Sequence, residues 1–442
     1  MASYLRPDVI KMKAYTPGEQ INDATKLNTN ECAWGPAPGV LKALANLSVD
    51  ALRLYPSPLS DKVRAAASDV FQIDADCVLV GNGSDDCLTV VMRSFLGPGD
   101  VVACPWPTYS LYDTLATIQG VQIKHADWVT EPDAMLDASA RSGGGAAGWH
   151  LPVSQLLATG AKVVFVATPN NPSATLVPLE ELELLASKLQ GVLVVDEAYI
   201  DYATAADGST PAGLAASFIP RLAKYPNVIV LRTFSKSYSM AGAVRPRAHA
   251  PTRPRAHTPT RRHRRPPRAM RAPARAGPRD SSPHAYAARD AAAQRLGLMF
   301  ASAELIGHMN KVKDSYNVNS MTQVAGEAAL RDRDYFDWLV RATITERQWL
   351  LENTAQFGWS YPKTDANFVL FDVGSAARAD YLYAGLKKQG LLVRYWGSRP
   401  DLCTKLRVTV GTRASNEKFV ELCKSLLASE PATNGVHKKQ KT

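Results

Sequence analysis

The chain has 442 residues, enough for two domains of ordinary size, and its 46% hydrophobic content supports a large buried core. No apolar run approaches the ~18 residues that cross a membrane, and the six cysteines show no CxxC spacing, which argues against a zinc site or disulfide framework and for free thiols in a reducing compartment. The formal net charge of +10 would suit an acidic partner, and where that charge lies along the chain decides what it means.

In chain order, residues 1–11 lack the apolar stretch of a secretory signal, so a cytoplasmic protein is expected. Residues 1–50 form an N-terminal segment that joins a small C-terminal domain. Residues 51–320 form the large domain. Within it, helical spacing predicts helices over 61–71 and 179–189, and short apolar runs predict buried strands at 78–80, 101–103, 163–167, 192–195 and 228–231. Strands alternating with helices argue an α/β fold with a mostly parallel sheet. Three consecutive glycines at 143–145 mark a loop. Residues 321–357 are long and amphipathic, read as two helices that lead into a smaller α+β domain completed by 367–426, so that the small domain spans 321–427. The polar tail, 428–442, is expected to be disordered.

Three of the predicted strands end in residues that carry chemistry. After 163–167 comes Pro169-Asn170-Asn171-Pro172, after 192–195 comes Asp196-Glu197-Ala198-Tyr199, and after 228–231 comes Thr233-Phe234-Ser235-Lys236-Ser237-Tyr238. Open α/β sheets bind ligands beyond the carboxyl ends of their strands, so an amide, a carboxylate with a phenol, and an amine converge on one crevice. A lysine amine condenses with an aldehyde cofactor, a facing carboxylate keeps a pyridine nitrogen protonated, and neutral donors set the charge of a phenolic oxygen. Lys236, Asp196, and Asn171 with Tyr199 supply these parts, which is the set needed to hold pyridoxal 5'-phosphate. Lys236 then serves a second time, as the base that moves a proton between substrate and cofactor carbons. The competing readings are a solvated surface lysine, a helix cap at Asp196 and simple packing for nearby tyrosines. Gly81 and Gly83 do not complete a dinucleotide-binding GxGxxG.

With these motifs in hand, the chain resembles the fold type I aminotransferases, and within them the histidinol-phosphate aminotransferases. The blocks that carry the resemblance are Lys26-Leu27-Asn28-Thr29-Asn30-Glu31, Trp34-Gly35-Pro36, Tyr55-Pro56, Gly81-Asn82-Gly83-Ser84-Asp85-Asp86 and Pro105-Trp106-Pro107-Thr108-Tyr109. The three strand-end motifs follow, then Lys311-Val312-Lys313-Asp314-Ser315-Tyr316-Asn317 and Leu406-Arg407-Val408-Thr409-Val410-Gly411-Thr412. The resemblance implies that Ser84 and Asp85 open a helix whose N–H groups face the cofactor phosphate, and that Ser235 and Arg295 complete that phosphate site. It further implies that Tyr109 stacks on the cofactor ring and that Tyr55 reaches the cofactor phosphate of a neighbouring subunit, hence a homodimer. Arg394 and Arg407 match arginines that hold substrate anions. The implied reaction moves an amino group between histidinol phosphate and 2-oxoglutarate in histidine biosynthesis. Alternatives are an aromatic aminotransferase, a phosphothreonine decarboxylase or, outside enzymes, a nucleic-acid binder on an inactive fold.

The family pattern breaks after Ala243. Val244-Arg245-Pro246 stands where Arg, an apolar residue and Gly are expected, and these appear only at Arg295-Leu296-Gly297. The intervening segment, 244–294, holds 13 Arg, 2 Asp, 9 Pro and 4 His, with scarcely a large apolar residue. Such a composition cannot offset its ordering entropy, so disorder is expected. Its net charge of 13 − 2 = +11 leaves the remaining residues at +10 − 11 = −1, so the basic balance belongs to this segment alone. Valine codons begin with GT and a glutamine codon can be CAG, so the segment reads as an in-frame retained intron or gene-model error. A surface loop and a nucleic-acid arm are the alternatives, the second poorly supported because a single tyrosine, Tyr286, offers almost no stacking surface.

Overall fold

A computed structural model of the protein describes residues 4–12, 18–21, 23–136, 149–241 and 295–430. The basic segment 244–294, the glycine loop 143–145 and most of the tail 428–442 lie outside the described residues. The strands are β1 (Thr25–Leu27), β2 (Val78–Gly81), β3 (Val101–Trp106), β4 (Gln122–Asp127), β5 (Val163–Ala167), β6 (Val192–Asp196), β7 (Val228–Thr233), β8 (Gly297–Phe300), β9 (Phe368–Asp372), β10 (Leu391–Tyr395) and β11 (Lys405–Thr409).

Seven of them form one sheet in the order β2-β8-β7-β6-β5-β3-β4. All neighbours run parallel except β8, which lies antiparallel between β2 and β7. Every residue of β5, β6 and β7 is buried, as a sheet covered on both faces requires of its central strands. The Asp61–Phe71 helix turns Val63, Ala66, Ala67 and Phe71 inward on a helical period. The edge strand β4, with Gln122, Lys124 and Asp127 in its six residues, is largely open to solvent, and its charged side chains blunt an edge that would otherwise pair with another chain.

The second sheet has the order β1-β10-β11-β9, with β1 parallel to β10 through Thr25 opposite Leu391. A strand from near the start of the chain is thus built into a sheet from its end. The Ala376–Lys388 and Arg413–Ala428 helices bury Leu382, Leu386 and Phe419 in the core beside this sheet. Two further helices, Ser320–Arg331 and Arg333–Thr354, meet at Asp332, whose carboxylate caps the second by accepting from Tyr335 N–H. Leu330, Phe336 and Ile344 join the core of the large sheet, whereas Leu350 joins that of the small one. Where the two sheets meet, Tyr199, Leu339 and Phe368 form a separate apolar cluster. Among the described residues no helix is long and apolar enough to cross a membrane.

Candidate active site

A cavity of about 710 Å³ lies where β5, β6 and β7 end. Asn171, Asp196, Tyr199, Ser235 and Lys236 line it, together with Ser84, Asp85, Tyr109, Arg295, Arg394 and Arg407. Eleven of the twelve residues singled out in the sequence therefore share one space. Tyr55 does not line it. Its side chain is 82% exposed and stacks on Tyr316 at 4.5 Å between ring centroids.

Asp196 is the last residue of β6 and is 5% exposed. Tyr112 O–H donates to its Oδ2 at 2.8 Å, and Ala198 N–H donates to its Oδ1 at 3.2 Å. Burial dominates these donors and, with the nearby Asp85 charge opposing ionisation, pushes the carboxyl up to about 6. Burial likewise pushes the Tyr112 phenol well above its ordinary value, helped by the Asp196 charge, so Tyr112 remains a donor. The sequence offers no sign of this role, since Tyr112 lies just outside the motif that ends at Tyr109.

The amine of Lys236 follows β7 and lies 3.4 Å from the Thr29 carbonyl and 5.6 Å from the centre of the Tyr199 ring. Beneath it, Ser237 Oγ donates to Asp201, Asp201 accepts from Arg232 at 2.8 Å, and Arg232 also pairs with Glu197 at 3.3 Å. Burial pushes the Glu197 carboxyl up, and Arg232 counters that shift. This buried network ties the lysine turn to β7 and to the turn after β6. Asn30 Nδ2 donates to Tyr199 Oη at 3.0 Å, which fixes the phenol while leaving its own hydrogen to donate.

At the opposite wall, the Ser84–Phe95 helix begins after Gly83, whose φ of +87° favours glycine. A Cβ on Gly297 would sit 2.4 Å from the Gly83 carbonyl carbon and 2.6 Å from Ser84 N, so only a glycine lets β8 pass this close. Asp85 accepts from Tyr109 O–H at 3.3 Å and from Arg295 at 3.1 Å. Arg295 is placed there by the start of β8, because Thr233 and Gly297 are register partners and Phe234 N–H donates to the Leu296 carbonyl at 2.9 Å.

Arg394 and Arg407 face each other directly across β10 and β11. Like charges opposite one another in a sheet destabilise it unless something anionic comes between them. Arg407, 7% exposed, donates to Asn171 Oδ1 at 2.6 Å and to the Asn28 carbonyl at 2.8 Å. Trp396 and Arg399 also line this end of the cavity and carried no signal in the sequence.

An α/β sheet that presents an amine, a buried carboxylate and a helix N-terminus to one cavity, with a second sheet adding paired arginines, has the architecture of a fold type I aminotransferase. The model of the family described as aminotransferase class I and II matches residues 22–244 and 288–425, and the interruption falls within 244–294. The chain belongs to this family. Histidinol-phosphate aminotransferase 1 of Trichormus variabilis is 33% identical over 430 residues, covering 97% of this chain and all of that protein. The histidinol-phosphate aminotransferase of Synechocystis sp. is 34% identical over 427 residues, covering 96% and 99%. In fold, the chain is similar to the crystal structure of histidinol-phosphate aminotransferase from Sinorhizobium meliloti in complex with pyridoxal-5'-phosphate, with a TM-score of 0.71, 20% identity and coverage of 97% and 98%.

Proposed function

We propose that the chain moves an amino group between histidinol phosphate and 2-oxoglutarate with pyridoxal 5'-phosphate as cofactor. The observation that carries this is Asp196: a carboxylate buried at a strand end, raised to about 6 and lining the same cavity as Lys236, calls for a cation to complete it. A protonated pyridine ring is such a cation. The donor set fits the remainder of the cofactor, and the glycine at 297 keeps the helix start open to a phosphate.

When bound, the cofactor supplies an aldehyde and an electron sink. Lys236 Nζ would hold the aldehyde and, once free of it, would be the base that takes the proton from the amine-bearing carbon and returns it. Asp196 holds the proton at the ring nitrogen. Asn171 has Oδ1 engaged by Arg407, so its Nδ2 is the atom left to donate to the phenolic oxygen beside Tyr199 Oη. Ser84 and Asp85 N–H groups, Ser235 and Arg295 receive the phosphate, and Tyr109 covers the ring. Arg407 binds the carboxylate of one substrate and the phosphate of the other in turn, with Arg394 adding to the phosphate. In this reading residues 51–320 carry the cofactor and 321–427 carry the arginines. Tyr55, exposed beside Tyr316, serves the partner's site in a homodimer.

Purified protein supplied with the cofactor should convert histidinol phosphate and 2-oxoglutarate at least tenfold more efficiently, in kcat/KM, than it does unphosphorylated histidinol, and Arg394→Ala should erase most of that preference. Equal use of the phosphorylated and unphosphorylated substrates, or a preference for aromatic amino acids, would assign the site to another amino donor.

A further inference from the structure

Tyr112 is fully buried on the Leu111–Gln119 helix, stacked on Phe165 at 4.9 Å and edge-on to Tyr109 at 5.6 Å. It is not among the residues that line the cavity. Its hydroxyl reaches the site at one point, the 2.8 Å hydrogen bond to Asp196 Oδ2. An ionised carboxylate has about four lone-pair directions. Tyr112 and Ala198 N–H take one on each oxygen, which fixes the plane of the carboxylate and leaves the others to the cavity.

We propose that Tyr112 is a positioning residue for the reaction, acting through Asp196 by orienting its carboxylate and holding it in the charged form that a protonated cofactor ring requires. This rests on the reading of Asp196 as the partner of that ring. The charge demand is steep where Asp196 sits. Asp85 on the Ser84–Phe95 helix opposes its ionisation and Lys236 after β7 favours it. The thiol of Cys87 also interacts with Asp196, and the phenol of Tyr109 and the thiol of Cys104 lie near Tyr112. Tyr112 donates a side-chain hydrogen bond to the carboxylate. A hydrogen bond to a charged acceptor in a water-poor setting is about twice as strong as a neutral one, and Tyr112→Phe removes it while keeping the ring that packs on Phe165.

The test is a double-mutant cycle of Tyr112→Phe and Asp196→Asn on the full chain. Two measurements stand apart from turnover: the denaturation midpoint of the cofactor-free protein at about pH 5 and about pH 8, and the dissociation constant of pyridoxal 5'-phosphate by equilibrium dialysis. With Asp196 present, Tyr112→Phe should weaken cofactor binding and lower kcat about tenfold each with KM within about twofold. It should also lower the midpoint more at pH 8, where Asp196 is charged, than at pH 5, where it is mostly protonated. With Asn at 196, the hydroxyl should matter little to cofactor affinity, and the pH dependence of its effect on the midpoint should vanish. An equal loss in both backgrounds and at both pH values would make Tyr112 a packing residue and overturn the proposal. If Asp196→Asn itself leaves cofactor affinity and kcat unchanged, the assignment of Asp196 fails instead, which the cycle reads separately.

Discussion

Asp196 sits under opposing demands. In the proposed reaction it is charged, whereas burial makes charge costly and raises its carboxyl from an ordinary 3.8 to about 6. A carboxyl whose folded pKa is raised binds protons more readily in the native state. Its penalty is therefore absent below about pH 4, grows as pH rises towards 6 and is constant above that. The shift corresponds to roughly 3 kcal/mol in the cofactor-free protein. Asn fits the same partners, because the Tyr112 hydroxyl can turn to accept from the Asn amide while Ala198 N–H keeps an oxygen acceptor. Asp196→Asn should thus raise the melting temperature of the cofactor-free protein at pH 8, with the gain fading near pH 4, while slowing transamination by several orders of magnitude. A midpoint unchanged or lowered at pH 8 would contradict the strain ascribed to this carboxylate. Lys236→Ala should remove both turnover and the visible absorbance of cofactor-loaded protein, because no other amine among the described residues lines the cavity; retained turnover would refute the role given to Lys236.

At the scale of elements, the site depends on one close passage, that of β8 beside the start of the Ser84–Phe95 helix. Gly297→Ala would place a methyl group against backbone atoms at 2.4 to 2.6 Å, which side-chain rotation cannot relieve. Either β8 or the helix start must move, at a cost of about 1–3 kcal/mol. Because Ser84 and Asp85 stand on the helix and Arg295 directly precedes β8, cofactor affinity should fall together with the melting temperature. A stability loss with affinity unchanged would show that the phosphate site does not rest on this contact. The sequence made some elements easy to read. Continuous β-branched runs such as Val163-Val164-Phe165-Val166 and Val192-Leu193-Val194-Val195 can be buried on both faces, and the motifs after them follow directly. β4 is hidden in the sequence, because Gln122-Ile123-Lys124-His125 is an edge strand whose polar residues mask its period. β8 carries no strand signal of its own, since four residues, Gly297-Leu298-Met299-Phe300, are too few to show a pattern. Tyr112 and the Asp85 side chain escaped for another reason: their roles arise from which groups the packed helices bring together, and no local spacing records that.

On the scale of the whole molecule, the charge of the protein and its site are separable. Residues 244–294 carry +11 of the +10 total, and the other residues sum to −1. The elements that flank this segment are fixed by the large sheet, through the pairing of Thr233 with Gly297, and both Ala241 and Arg295 line the cavity. Length alone is a small burden, because closure entropy rises by only ~0.6 kcal/mol for each doubling of a loop. Position is the larger one. The segment is joined to the described fold beside the cavity, and in the proposed reading its thirteen arginines would compete for the anions taken there, the cofactor phosphate and the substrate. Deleting 244–294 should therefore raise cofactor occupancy and kcat/KM for histidinol phosphate, make both less sensitive to ionic strength, and convert a protein retained by a cation exchanger at neutral pH into one that passes through. Preparing the full and shortened chains side by side and measuring occupancy at low and high salt decides the matter. Equal occupancy and activity in the two, at both salt concentrations, would mean that the arginine-rich segment is a tolerated loop with no hold on the site.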